Sequence, residues 1–165
     1  MPVRKMKLAG RSGRVAVVDG LRTPFARIAT HYKDMNAIEL GAMAVKELMA
    51  RNNLDQRDIE QLVFGMTVMI PEAPFIAREI ALALGMNTVD AHSITRACAT
   101  SFQTAASVAD NIVAGYSDIA IAGGTDSTSS ARVPLSSELS AVLRDVSFAK
   151  SMTDRIKLLS HFFFF

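Results

Sequence analysis

Cysteine is nearly absent from this sequence: Cys98 is the only one among 165 residues, and tryptophan is missing altogether. A single thiol excludes an intramolecular disulfide and a paired Cys/His zinc cluster, and it suits a reducing compartment. Long apolar runs are missing too, since none approaches the roughly 20 residues needed to span a bilayer. Nor does one sign of charge dominate: 18 Lys and Arg face 16 Asp and Glu, for a net charge of +2. That balance excludes the strongly basic surface expected of a nucleic-acid partner and gives no pull toward an acidic one. Histidine is scarce, at positions 31, 92 and 161.

What is present is a chain that is 50% hydrophobic, enough to bury a core, of a length that suits one domain. Arg4, Lys5, Lys7, Arg11 and Arg14 precede the first acid, Asp19, so residues 1–13 read as a basic, flexible terminus. It lacks the apolar run of a secretory signal, and a transit peptide is the weaker alternative because serine is sparse and no helical amphipathicity shows. Arg14 to Gly20 is a continuous apolar run closed by glycine, the pattern of a strand buried on both faces. Arg22-Thr23-Pro24-Phe25 follows, and Pro24 ends regular pairing. Asn36 with Glu39 forms a capping box that opens a helix with Leu40, Ala44 and Leu48 as its buried stripe, closed at Asn52-Asn53. Asp55 to Ile59 is a short turn, Leu62 to Gly65 a second buried strand, and Phe75 to Leu84 a helix stopped by Gly85.

The stretch Asp90 to Gln103 carries the chemistry. Ala91 to Arg96 predicts a short strand, and Phe102, Ala105, Ala109 and Ile112 recur at helical spacing toward Gly115. Cys98 falls where strand becomes helix, facing free backbone N–H groups and the positive end of the helix dipole, which favour a thiolate. A lone cysteine among alanines is, by spacing alone, more often the pattern of an inert core position. Ile119 to Ala122 is another apolar strand, ending in Gly123-Gly124-Thr125-Asp126. Apolar strands alternating with helices imply βαβ units around a largely parallel sheet, whose ligands bind beyond the carboxyl ends of the strands. Arg22, Cys98 and Gly123 to Asp126 all fall at that rim. From Ser127 the strand signal disappears, and Leu135 to Val146 and Met152 to Leu159 are amphipathic helical stretches that read as a cover over the sheet. His161 to Phe165 is an unprotected aromatic end, expected to mark an altered reading frame with the domain continuing beyond it.

Taken together, Arg22-Thr23-Pro24-Phe25, Ile76-Ala77-Arg78-Glu79, Arg96-Ala97-Cys98-Ala99-Thr100-Ser101 and Gly123-Gly124-Thr125-Asp126-Ser127 resemble, in order, the blocks of the thiolase family. The Cys-Ala-Thr-Ser-Phe-Gln variant and the basic stretch Ser151 to Lys157 look most like 3-ketoacyl-CoA thiolases of fatty-acid oxidation complexes. The resemblance implies an α/β fold: the N-terminal half of a layered αβαβα architecture over residues 14–126, with a mostly parallel sheet. Residues 127–160 would begin a helical loop domain that contacts coenzyme A, and 161–165 would be an aberrant end. It also implies acyl transfer through Cys98, coenzyme A as co-substrate without a metal, a homodimer, and a β-oxidation α-subunit as partner. The compartment implied is the bacterial cytoplasm, with the mitochondrial matrix as alternative. Two departures stand out: Phe75 where relatives commonly have asparagine, and Thr100-Ser101 in place of Ser-Gly. The family's later Gly-His-Pro histidine and second cysteine have no counterpart here, and His92, six residues before Cys98, is too far along an extended chain to replace them. The competing readings are a ketoacyl-synthase-like condensing enzyme, a dinucleotide domain weakened by the lack of Gly-Xaa-Gly-Xaa-Xaa-Gly, and a non-enzymatic remnant.

Overall fold

Gln61 to Gly65 forms strand β1, buried at every residue, and the sheet of the first unit is built around it. The computed structural model describes residues 13–71, 73–131 and 135–163. The basic residues 4–11 and the side chains of the Phe-rich end lie outside what is described. In chain order the elements are α1 (Ala37–Arg51), β1, α2 (Ile76–Ala83), β2 (Asp90–Ser93), α3 (Thr100–Ala114), β3 (Ala120–Gly124), α4 (Ser137–Phe148) and α5 (Met152–Phe163). The three strands are parallel in the order β2-β1-β3, with Gln61 beside both Asp90 and Ala120. The chain leaves β1 toward one edge and returns from β2 to the other. Right-handed crossovers in opposite directions put α2 and α3 on opposite faces of the sheet.

Side chains along β1 alternate accordingly. Leu62 and Phe64 join Val45, Met49, Ile76, Ile80 and Met86 in the main core, under α1 and α2. Full burial of Leu62, Ile76 or Ile80 contributes about 1.5–3 kcal/mol each. On the other face Asn111 of α3 donates to the Gln61 amide oxygen, 2.9 Å, and Gln61 donates to Asp90, 2.9 Å, so this side is polar where the strands begin. α1 opens with the full capping box: Asn36 accepts from Glu39 N, and the Glu39 carboxylate accepts from Asn36 N. α2 has no cap of its own, and Ser93 of β2 supplies one by accepting from Ala77 N, 3.0 Å. Gly115 ends α3 in the left-handed conformation at φ 83°.

Four sequence expectations are corrected. Arg14 to Gly20 is not a buried strand: it pairs with nothing, and Val17 and Val18 are 92% and 84% exposed. An apolar run becomes a strand only when a neighbour completes its ladder, and among the described residues β3 carries no strand on its outer edge. The segment is held instead by Asp19, which accepts from the Asn52 side chain at the end of α1. The buried stripe of α1 is Ala37, Leu40, Gly41, Val45 and Met49, so Ala44 and Leu48 flank it. The inward face of α3 is Thr100, Thr104 and Val108, while Phe102 is 83% exposed. Small residues win there because the Thr104 hydroxyl donates to Gly123 O and draws the helix onto β3. β2 ends at Ser93, and Thr95 and Arg96 belong to the turn that follows.

The described residues divide at Ala131 into two compact units. In the second, α4 and α5 pack on each other; Ser136 caps α4 and Ser151 caps α5 through Asp154 N. Both helices were legible from their spacing. No helix among the described residues is long and apolar enough to cross a membrane.

Candidate active site

Cys98 sits exposed between β2 and α3, beyond the carboxyl end of the sheet. Its turn is tight. Ala97 is left-handed at φ 47°, a conformation that costs an alanine about 1–2 kcal/mol and persists only where the surroundings impose it. The surroundings are hydroxyls. Thr100, buried at the first residue of α3, donates to Ala97 O at 2.7 Å and accepts from Arg96 N at 2.8 Å. Thr67 donates to the same Ala97 carbonyl, 3.3 Å, and Thr95 donates to Met66 O, 3.2 Å. Thr100 N also reaches Ala97 O, and Ala99 N reaches Arg96 O, each at 3.1 Å, closing the turn into the helix. The Arg96 guanidinium donates to the Gln103 side chain, seven residues on in the first turn of α3.

Gly65 permits this geometry. A β-carbon there would lie 2.1 Å from Ile94 O and 2.2 Å from Thr100 Cγ2, so only a glycine lets the loop after β2 cross the end of β1. The turn after β3 then fits alongside. Thr125 N donates to Gly65 O, 3.0 Å, and the Thr125 hydroxyl to Ala37 O, 2.9 Å. The Ser127 hydroxyl donates to Met35 O, 2.8 Å. Between them, Asp126 Oδ1 accepts both Thr67 N and Val68 N at 2.7 Å.

Of the sequence-predicted rim, the structure therefore brings together the Cys98 turn and Gly123 to Asp126. Arg22 is not among them: its guanidinium lies 3.8 Å over the Phe25 ring, on an exposed segment. His92 sits within β2 beside Val63 and lines a cleft of about 440 Å³ with Glu60, Gln61, Asp90, Asn111 and Tyr116, where the strands begin. There its Nδ1 is 3.9 Å from Asp90. Phe75, the departure at the start of α2, is exposed. Among the described residues, no group of three His, Cys, Asp or Glu is placed to hold a metal ion. Gly65, Thr67, Thr95 and Thr100 were not singled out from the sequence for this role. The only signal was a glycine closing an apolar strand.

Chemically, the arrangement offers an accessible thiol held by a constrained turn at the start of a 15-residue helix, with α3 carrying no side-chain cap on its first N–H groups. Thr100 N is taken by Ala97 O, and the N–H groups of Ser101 and Phe102 behind it favour negative charge at the helix start.

The description "Thiolase, N-terminal domain" matches residues 15–159. A 3-ketoacyl-CoA thiolase of Vibrio cholerae is 52% identical over 162 residues, covering 97% of this chain and 37% of that protein. One from Escherichia coli is 52% identical over 157 residues, covering 94% of this chain and 36% of the relative. The chain thus spans little more than a third of the length of the curated relatives it matches. Among solved structures, a thiolase from Ascaris suum in complex with coenzyme A superposes with a TM-score of 0.67 at 27% identity, over 71% of this chain and 31% of the other. The acetyl-CoA acetyltransferase of Bacillus anthracis gives 0.63 at 26% identity, over 66% and 28%. Ordered motifs, parallel α/β architecture and a match along nearly the whole chain lead to one conclusion: the chain belongs to the thiolase family.

Proposed function

We propose that this chain supplies the nucleophilic half of a 3-ketoacyl-CoA thiolase, with Cys98 as the acyl acceptor. The observation that carries this is the exposed thiol on its constrained turn beyond the carboxyl ends of a parallel sheet, in a chain of this family. The Cys98 thiolate attacks the C3 ketone of a 3-oxoacyl-CoA, and the C2–C3 bond breaks. The electron pair leaves with acetyl-CoA as its enolate, which takes up a proton, and the shortened acyl group stays on sulfur. The thiol of free coenzyme A then attacks that thioester, releasing acyl-CoA and restoring Cys98. Backbone N–H groups at the start of α3 suit the oxyanion formed in each step.

Both halves need proton transfer, to hold the nucleophile as thiolate and to protonate the enolate. His31 lies in an exposed turn and His92 in the cleft where the strands begin, so neither supports that role. In this reading the 165-residue chain by itself is acylated slowly, with solvent carrying the proton to the enolate, and does not turn over. Coenzyme A is the co-substrate, a second copy of the chain and a β-oxidation α-subunit are the partners, and the cytoplasm is the compartment that its bacterial relatives favour. In this reading residues 127–160 are the start of the family's loop domain.

Incubation of the chain with acetoacetyl-CoA, followed by peptide mass spectrometry, tests the reading. An acetyl adduct on Cys98, absent from Cys98→Ser, is expected. A Cys98 that iodoacetamide alkylates but the acyl-CoA does not would favour the non-enzymatic alternative. Steady thiolysis by the wild-type chain would refute the division of labour.

A further inference from the structure

The hydrogen bonds around Cys98 form a relay that begins on another element. Asp126 follows β3, and both of its neighbours are tied down: Thr125 to Gly65 and Ala37, Ser127 to Met35. Held this way, the Asp126 carboxylate takes Thr67 N and Val68 N on one oxygen, each at 2.7 Å. Charge-assisted bonds of this length are the strong ones, and here two of them fix the backbone just after β1. The Thr67 side chain, so placed, donates to Ala97 O, the carbonyl of the left-handed residue directly before Cys98. We propose that Asp126 is a positioning residue for Cys98, acting through Thr67 to hold the turn at Ala97 in its left-handed conformation. The proposal rests on the acyl-Cys98 reading for its functional meaning, although the latch itself is a matter of backbone geometry.

Chemistry calls for such a device. Nucleophile placement matters at the level of an ångström, and a left-handed alanine relaxes when the groups holding its carbonyl are removed. Thr100 alone holds Ala97 O from the helix side, and Thr67 holds it from the side of β1. Remove the second and the turn can rotate about the first.

The test uses the 165-residue chain with Asp126→Ala, Asp126→Asn, Thr67→Val, Thr67→Ser and the double variant Asp126→Ala/Thr67→Val. Two quantities are read: the rate of Cys98 acylation by acetoacetyl-CoA, and amide hydrogen exchange at Thr100, whose N–H is bonded to Ala97 O. Asp126→Ala and Thr67→Val should each slow acylation about tenfold and speed Thr100 exchange about tenfold, with the double variant no worse than either single one. Asp126→Asn and Thr67→Ser keep an acceptor and a hydroxyl, and should stay within about threefold of wild type. Exchange at Leu40, in the first turn of α1, reports whether the fold is intact. Should Asp126→Ala not fold, Thr67→Val, which keeps both bonds to Asp126, carries the test. Unchanged Thr100 exchange in both single variants overturns the latch, as does a double variant whose losses multiply. A wild-type chain that is never acylated overturns the Cys98 reading instead, and the exchange data still decide the latch.

Discussion

Replacing Gly65 with alanine probes the contact on which the turn depends. The added methyl would meet Ile94 O at 2.1 Å and Thr100 Cγ2 at 2.2 Å, overlaps of more than about 1 Å against ordinary contact. Neither neighbour can swing aside. Ile94 O is main chain, and Thr100 is pinned by its bonds to Ala97 O and Arg96 N. The loop after β2 must therefore lift, weakening the Ile94 N to Phe64 O bond and the bond from Arg96 N to the Thr100 hydroxyl. Overpacking of this kind costs about 1–3 kcal/mol, and two weakened hydrogen bonds add about 1 kcal/mol each. The smaller entropy of an unfolded alanine returns about 0.4–1 kcal/mol, leaving a net loss of about 3 kcal/mol. With a urea slope of about 1–3 kcal/mol per molar, the midpoint falls by about 1–3 M. Tyrosine fluorescence suits the measurement: both tyrosines, Tyr32 and Tyr116, lie in the first unit, and there is no tryptophan to mask them. Gly20→Ala, with no heavy atom within 4 Å, is the control and should stay within about 0.5 kcal/mol of wild type. A Gly65→Ala chain as stable as that control would refute the reasoning.

Asn36→Ala removes the side-chain acceptor of Glu39 N, leaves the Glu39 carboxylate its bond from the backbone N–H of residue 36, and should destabilise the first unit by about 1 kcal/mol, a drop in Tm of a few degrees by differential scanning calorimetry. No change in Tm would mean that Ala37, buried against the core, holds the helix start without its cap. The Asn52 amide, and after it the Gly20 N–H, hold the Asp19 carboxyl below its ordinary 3.8. A depressed carboxyl contributes stability that is present above the unfolded value and is lost as pH falls through the folded one. Carbon-detected NMR titration should therefore place Asp19 below 3.8, and Asn52→Ala should return it toward that value. A midpoint unmoved by Asn52→Ala would contradict the tether.

Legibility followed the range of the interaction. The box at Asn36 and Glu39, the glycine stops at Gly85 and Gly115, and the alternation of strands and helices are settled within a few residues, and all could be read. Cys98 could be placed at a strand-to-helix junction for the same reason. What could not be read depends on a neighbour distant in sequence. Arg14 to Gly20 has the composition of a strand, but composition supplies no partner. Phe102 marked the wrong face of α3 because apolar spacing says nothing of a Thr104 hydroxyl satisfied by Gly123 O. Ala97 gives no hint of a left-handed backbone, and Asp126 no hint of its bonds to residues 58 and 59 positions away.

Those separations also order events during folding. β1 meets β2 across 29 residues but meets β3 across 59, through the Gln61 pairings with Asp90 and Ala120. Doubling a loop adds about 0.6 kcal/mol of closure entropy, so the β1–β2 pairing, with Ile94 and the loop after it, is the cheaper nucleus. The carboxylate of Asp126 arrives only with β3. During refolding, and during synthesis from the N-terminus, Cys98 thus gains its helix before it gains the anchor on the far side of its turn. Until β3 docks, the thiol is a reactive group without an address.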